Sequence, residues 1–288
     1  MIPCVFVSDL HGSAARATAL FRVIAEERPH AVFLGGDLLA HGRGDGFLRD
    51  VLLAEFARAR DAMGAAYPGV FAILGNDDPR AVAEPVLLEG AARGLWRYMH
   101  GQRATLGRFT VLGYNCIPPS PFRLKDWERY DVSRFVDPGC VAPEDGVRTG
   151  PADSVEPGRT IADDLAALAG EDRLDHTVCL FHVPPHGTAL DRAALDGRSV
   201  DHAPLDVHIG SIAVRRFMEA RRPWLGLHGH VHESARLTGR WMDQLGPTVL
   251  LSAAHDGPEL ALLRFDLERP DLATRALVGG VRGGWGGI

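Results

Sequence analysis

Val5-Phe6-Val7-Ser8-Asp9-Leu10-His11 opens the chain with an apolar run that stops on a carboxylate and, two positions later, an imidazole. A short, nearly continuous apolar run reads as a strand buried on both faces. The pattern recurs four times. Val32-Phe33-Leu34-Gly35-Gly36-Asp37, Phe71-Ala72-Ile73-Leu74-Gly75-Asn76-Asp77, Val178-Cys179-Leu180-Phe181-His182 and Leu225-Gly226-Leu227-His228-Gly229-His230-Val231-His232 each end on polar groups of the same kind. In open α/β sheets, ligand sites gather just past the carboxyl ends of the strands. Two carboxylates, one amide and four imidazoles gathered there could hold two divalent cations side by side, and close cation pairs suit phosphoryl transfer.

Helical patterns separate these strands. Leu20, Phe21 and Ile24 recur at helical spacing within 13–27, as do Phe47, Val51, Leu52 and Phe56 within 46–63. A third helical segment follows Pro79 and is expected to break near Pro85. This alternation predicts a parallel or mixed sheet with helices outside, an α/β layered domain. Residues 96–99 and 109–114 read as further strands, 160–169 and 209–222 as helices, and 224–227, 248–252 and 260–265 as closing strands. Between 115 and 158 the pattern fails. Pro118, Pro119, Pro121, Pro138, Pro143, Pro151 and Pro157 exclude helix interiors and central strands. Phe122, Trp127, Tyr130 and Phe135 favour an ordered insert or cap packed over something. The expected organisation is one domain over 1–278 containing this insert, followed by a Gly-rich tail at 279–288.

The whole-chain numbers exclude more than they select. At 288 residues, with 46% hydrophobic and 24% charged residues, the chain has the composition of a globular domain. A net charge of −6 offers no general attraction for nucleic acid or an anionic membrane, so no long nucleic acid is expected as a partner. Cys4, Cys116, Cys140 and Cys179 are scattered, without a CxxC pair, and no apolar run approaches membrane-spanning length. The expected location is cytoplasmic.

The ordered set Asp-x-His, Gly-Gly-Asp, Gly-Asn, lone His and Gly-His-x-His, spread from Asp9 to His232, resembles the calcineurin-like metallophosphoesterase superfamily. Val183-Pro184-Pro185-His186-Gly187-Thr188 with Leu190-Asp191, and His230-Val231-His232-Glu233-Ser234, are similar to its predicted phosphoesterases related to Icc proteins. The resemblance implies an α/β/β/α sandwich of two mixed β-sheets with flanking helices. It makes Asp9, His11, Asp37, Asn76, His182, His230 and His232 the metal ligands and leaves His228 to support them. It also implies a small phosphoester substrate, diester ahead of monoester, attacked by a metal-bridging hydroxide. Manganese is the first expectation for the pair, with iron, zinc or nickel also compatible with carboxylate and imidazole donors. A non-catalytic metal-binding scaffold or regulatory protein is the alternative, although such a protein need not keep all seven ligands.

Taken singly, each residue has a plainer explanation. Ser8 or Asp9 could cap the following helix, and Asp78 before Pro79 reads as an N-cap followed by its first helical residue. His182 alone would pass for a buried core histidine. Asp37, after two glycines, has two oxygens with which to bridge two cations. Asp77 departs from the common pattern, which carries a proton-donating His there. An aspartate with an ordinary pKa near 3.9 is a poor donor at neutral pH. Either Asp77 is the catalytic acid with a shifted pKa, or His186 or another residue replaces it, or only good leaving groups are cleaved. The plainer expectation is that Asp77 orients a ligand. His186 and His208 are candidate substrate contacts, with Asp191 beside them. His208 lies just before a helix start, where anions bind favourably.

Overall fold

The computed structural model describes residues 1–40, 44–151 and 158–279. Successive side chains of a strand point to opposite faces, and β1 (Pro3–Val7) buries both sets. Cys4 and Phe6 enter one hydrophobic layer, Val5 and Val7 the other. The chain then runs through α1 (Ala14–Glu27), β2 (Ala31–Gly35), a π-helical stretch (Phe47–Leu53) continuing into α2 (Ala54–Met63), β3 (Gly69–Ile73), α3 (Arg80–Ala92) and β4 (Arg97–Tyr98). The hairpin β5 (Gln102–Leu106) and β6 (Phe109–Tyr114) precedes the proline-rich segment. After it come α4 (Ile161–Ala169), β7 (Thr177–Phe181), the short pair β8 (Ser199–Val200) and β9 (Ala203–Pro204), α5 (Ile212–Arg221) and β10 (Leu225–His228). The chain closes with α6 (Ser234–Thr238), β11 (Met242–Leu245), β12 (Thr248–Ser252), β13 (Leu260–Asp266) and β14 (Arg269–Val278).

Two six-stranded mixed sheets result, ordered β14-β13-β1-β2-β3-β4 and β11-β12-β10-β7-β6-β5. In each, four adjacent strands are parallel and the rest antiparallel. Phe6, Phe33, Phe71 and Ile73 of the first sheet pack with Val111, Val178, Leu180, Leu227 and Leu251 of the second in one inter-sheet core. The outer faces carry the helices. Val5, Val7, Val32 and Leu34 meet Leu20, Ile24, Leu52 and Phe56, while Leu112, Cys179 and Phe181 meet Leu165, Val214 and Met218. The layering is α/β/β/α, as expected. Among the described residues, no helix is long and apolar enough to cross a membrane.

Three readings change. Helix α3 does not break at Pro85 but runs through it. Ala83, Val86, Leu87 and Gly90 are all buried on its inner face, and that burial outweighs the lost backbone hydrogen bond. Asp78 is not the cap of α3. Its carboxylate turns inward, and Asp126 accepts the Arg80 N–H at 2.8 Å while Thr149 Oγ1 accepts the Ala81 N–H at 3.0 Å. Strands β5, β11 and β14 escaped the sequence reading because they are sheet edges, rich in polar residues and lacking apolar runs. The tail reading falls on 280–288, outside the described residues, apart from Gly279.

The segment from 115 to 151 is ordered by its own contacts rather than by regular elements. Isolated bridges join Ile117 to Glu128 and Leu124 to Val147, and Lys125 forms a fully buried ion pair with Glu128. Asp131 then reaches the start of α5, accepting the Ile212 N–H at 2.7 Å and the Ala213 N–H at 3.1 Å. Gly90 tests the packing of the opposite flank. A Cβ there would lie 2.0 Å from Cζ2 of Trp96, whose indole N–H donates to the Leu87 carbonyl. Gly90→Ala should lower stability by about 1–3 kcal/mol through overpacking. Urea denaturation followed by tryptophan fluorescence measures it, and an unchanged midpoint would mean that Trp96 moves aside freely.

Candidate metal centre

The candidate ligands all follow strand ends: Asp9 and His11 after β1, Asp37 after β2, Asn76 after β3, His182 after β7, and His230 and His232 after β10. Turning these side chains inward bends the backbone sharply. Asp9, His11, Asp37 and His230 have φ of 57°, 46°, 49° and 71°. They make up half of the eight non-glycine residues with positive φ among the described residues. Such conformations cost of order 1–3 kcal/mol each and persist where surrounding structure enforces them, commonly at functional sites.

The polar atoms converge in two groups. In one, His11 Nε2 lies 3.0 Å from His232 Nε2, which is 3.2 Å from Asp9 Oδ1. In the other, His182 Nε2 is 3.3 Å from Asp37 Oδ2 and 3.2 Å from Asn76 Oδ1. One ligand atom each from Asp9, His11, Asp37 and His232 falls within 4.8 Å of the others, and the same holds for Asp37, His182 and His230. Asp37 belongs to both groups. His182 Nδ1 donates to the Gly35 carbonyl at 2.7 Å, which directs Nε2 into the cluster.

Charge is concentrated here. Burial would raise the Asp9 carboxyl, but its hydrogen bond to His232 and the neighbouring imidazoles hold it well below the usual carboxylate range. Asp37 is likewise lowered, burial being outweighed by His182. Burial would lower His182, but the Asp37 charge and hydrogen bond raise it to about 9. His232 reaches about 9 as Asp9 outweighs its burial, whereas burial takes His230 down to about 3. Asp9 Oδ2 and His230 Nδ1 are buried without a hydrogen-bond partner. Uncompensated buried polar atoms are costly and rare. A cation at each group would satisfy them, so this donor set fits divalent metal ions.

Glycines make room for the cluster. A Cβ on Gly75 would lie 2.2 Å from Asp37 Oδ1, and one on Gly229 would lie 2.6 Å from Asp9 Oδ2. Asp77 touches both groups: its N–H donates to Asp37 Oδ1 at 2.8 Å, its Oδ1 accepts from Asn76 Nδ2 at 3.1 Å, and its Oδ2 is 3.6 Å from His11 Nδ1. His228 stays outside, its Nδ1 donating to the Phe181 and Val183 carbonyls. His208 Nδ1 is held by Asp191 at 2.8 Å, and His186 Nε2 pairs with Asp206 at 3.1 Å. The helix start beside His208 is no free anion site, because Asp131 already occupies those N–H groups.

Asp78 went unrecognised as an organiser of the site. It is fully buried and accepts N–H bonds from Gly75 at 2.9 Å, Leu38 at 3.1 Å and Leu39 at 2.7 Å, tying the Asp37 loop to the Asn76 loop. Burial and the nearby Asp37 charge push its carboxyl up to about 7, against the pull of those three bonds. Only its proximity in sequence to Asn76 hinted at this role. Arg16, also unrecognised, donates to the backbone carbonyls of Asp9 and Gly257.

A family model described as calcineurin-like phosphoesterase matches residues 2–234. The chain belongs to that family. No curated protein matches it. Among solved structures, the protein TT1561 of Thermus thermophilus is 14% identical, with a TM-score of 0.59 and coverage of 96% of this chain and 98% of that one. A second crystal structure is 16% identical at the same TM-score and coverage. At these identities the likeness is one of fold.

The raised imidazoles set a pH dependence. His182 and His232 titrate above the usual 6.5, at about 9. The stability this contributes is fully present below pH 6.5 and is lost as pH rises through 9. A cation held by the same two rings would need both neutral, and its affinity would then climb across that window, by about tenfold per pH unit for each proton displaced. Calorimetry of Mn²⁺ binding at several pH values, in buffers of different ionisation enthalpy, measures both affinity and proton release. A pH-independent affinity would mean that these rings are not ligands.

Proposed function

We propose that this phosphoesterase binds two divalent cations, one at each ligand group, and hydrolyses a small phosphodiester. The observation that carries the reading is Asp37, whose carboxylate is shared by both groups. A bound cation pair would activate water and neutralise charge on the phosphoryl oxygens. The chain's own residues do the rest. The Gly35 carbonyl fixes the His182 ring, Asp77 holds the Asn76 amide and the Asp37 carboxylate, and Asp78 locks their two loops together. Donors prepared in this way need no rearrangement as charge develops.

The surroundings favour a diester over a monoester. A monoester brings about −1.5 to −2 charges at neutral pH, as a phosphorylated side chain does, whereas a diester brings one. Asp77 lies against the cluster, and Arg16 is engaged with backbone carbonyls instead of facing a substrate. This reading includes a single domain over 1–278, and manganese as the first metal to try.

The test is a panel of aryl and alkyl phosphodiesters and monoesters with Mn²⁺-loaded protein. Diesters should be cleaved faster, and chelation should abolish turnover until metal is restored. Asp37→Asn should reduce turnover by about 10²-fold or more, the typical cost of removing one electrostatic stabiliser, and should reduce the bound metal per chain. Wild-type turnover in that variant would overturn the shared-ligand assignment.

Asp77 makes a separate prediction. Its N–H and both carboxylate oxygens meet the candidate ligands Asp37, Asn76 and His11, which supports a positioning role over that of a proton donor. Asp77→Ala should slow aryl and alkyl esters alike, by about 10–100-fold. A loss confined to alkyl esters, whose leaving groups need a proton, would make Asp77 the general acid.

A further inference from the structure

The segment Leu74–Arg80 carries Asn76 and Asp77, and residues of the proline-rich insert hold it at three points. Before the loop, Asn115 Oδ1 accepts the Leu74 N–H at 3.1 Å. Within it, the Trp127 indole N–H donates to the Asp78 carbonyl at 2.7 Å. At its far end, Asp126 Oδ2 accepts the Arg80 N–H at 2.8 Å. Asn115, Trp127 and Asp126 are all buried, at 0%, 1% and 5% exposure. They are braced in turn. Asn115 Nδ2 donates to the Tyr98 hydroxyl, the Arg80 guanidinium lies 5.0 Å from the Trp127 ring, and Asp126 accepts from the Thr149 and Gly150 backbone.

The arrangement has a structural consequence. An aspartate before Pro79 would ordinarily cap α3. Because Asp126 takes that task, the Asp78 carboxylate is released to bind Gly75, Leu38 and Leu39. Through Asp78 the insert therefore reaches Asp37 as well as Asn76.

We propose that Asn115, Asp126 and Trp127 are positioning residues, and that the insert acts as a jig setting the Asn76 loop against the Asp37 loop. The proposal rests on the two-cation reading for its effect on metal binding. The contacts of these three residues fall directly on the loop that carries Asn76 and reach the shared Asp37 only through Asp78, so the jig acts most strongly on the group containing Asn76, His182 and Asp37. It fixes ligand geometry from outside the ligand set, where losses typically cost about 10–100-fold in metal affinity.

The test uses the full chain with Trp127→Phe, which keeps a ring against Arg80 and His100 while removing the indole donor. Asp126→Ala is an independent variant at the other end of the loop. Mn²⁺ titration should show one equivalent weakened by about 10–100-fold and the other, which shares only Asp37 with the affected loops, weakened less. In metal-free protein, amide exchange at Leu38, Leu39 and Gly75 should accelerate while Leu225 and Leu227 in β10 keep their wild-type rates. Unchanged exchange at those three amides, or equal acceleration everywhere, would overturn the proposal, the second outcome marking a general structural role. Wild-type protein that fails to bind two cations would instead sink the metal reading, and the exchange measurement would still decide the jig.

Discussion

Asp9 and Asp37 place two carboxylates in the interior, each 1% exposed, where an ion without a partner is costly. Much of the surrounding structure compensates for that placement. His232 stands against Asp9 and His182 against Asp37, and both imidazoles have a raised affinity for protons as a result. Left-handed backbone at both aspartates turns their side chains inward, while Gly75 and Gly229 leave room beside them. The counter-charges that face them are imidazoles, which can exchange a proton for a metal ion.

Facing sheets make this concentration possible. Strands β1, β2 and β3 run parallel in one sheet, and β7 and β10 run parallel in the other. Their carboxyl ends open onto the same side of the sandwich, so five loops from distant parts of the chain meet there. A single sheet would bring only its own loops together. The inter-sheet core of Phe6, Phe33, Leu180 and Leu227 keeps the two halves in register, and the ligand loops inherit that precision.

Buried carboxylates outside the candidate ligand set also organise the irregular loops. Asp78 gathers three backbone N–H groups from two ligand loops, Asp126 and Asp131 supply the starts of α3 and α5, and Asp191 collects Gly187, Thr188 and Gly210. A carboxylate has about four lone-pair directions and accepts several N–H bonds at once. One such residue can therefore fix an irregular loop that has no sheet ladder or helix to satisfy its backbone.

The central strands, the main helices that cover them and the seven candidate ligands that meet at their ends are legible in the sequence. Apolar runs and helical spacing are local signals, and the ligand types stand immediately beside them, from Asp9 to His232. The sequence could not assign the edge strands β5, β11 and β14, whose residues gain strand conformation from a neighbour rather than from an apolar pattern of their own. Nor could it assign Asp78: next to Pro79 it has every local feature of a helix cap, and only the arrival of Asp126 from 48 positions away redirects it. The continuation of α3 through Pro85 was likewise decided by burial against distant strands. Local chemistry specified which side chains could bind metal, whereas the partners that hold them in place come from long-range contacts that spacing along the chain does not encode.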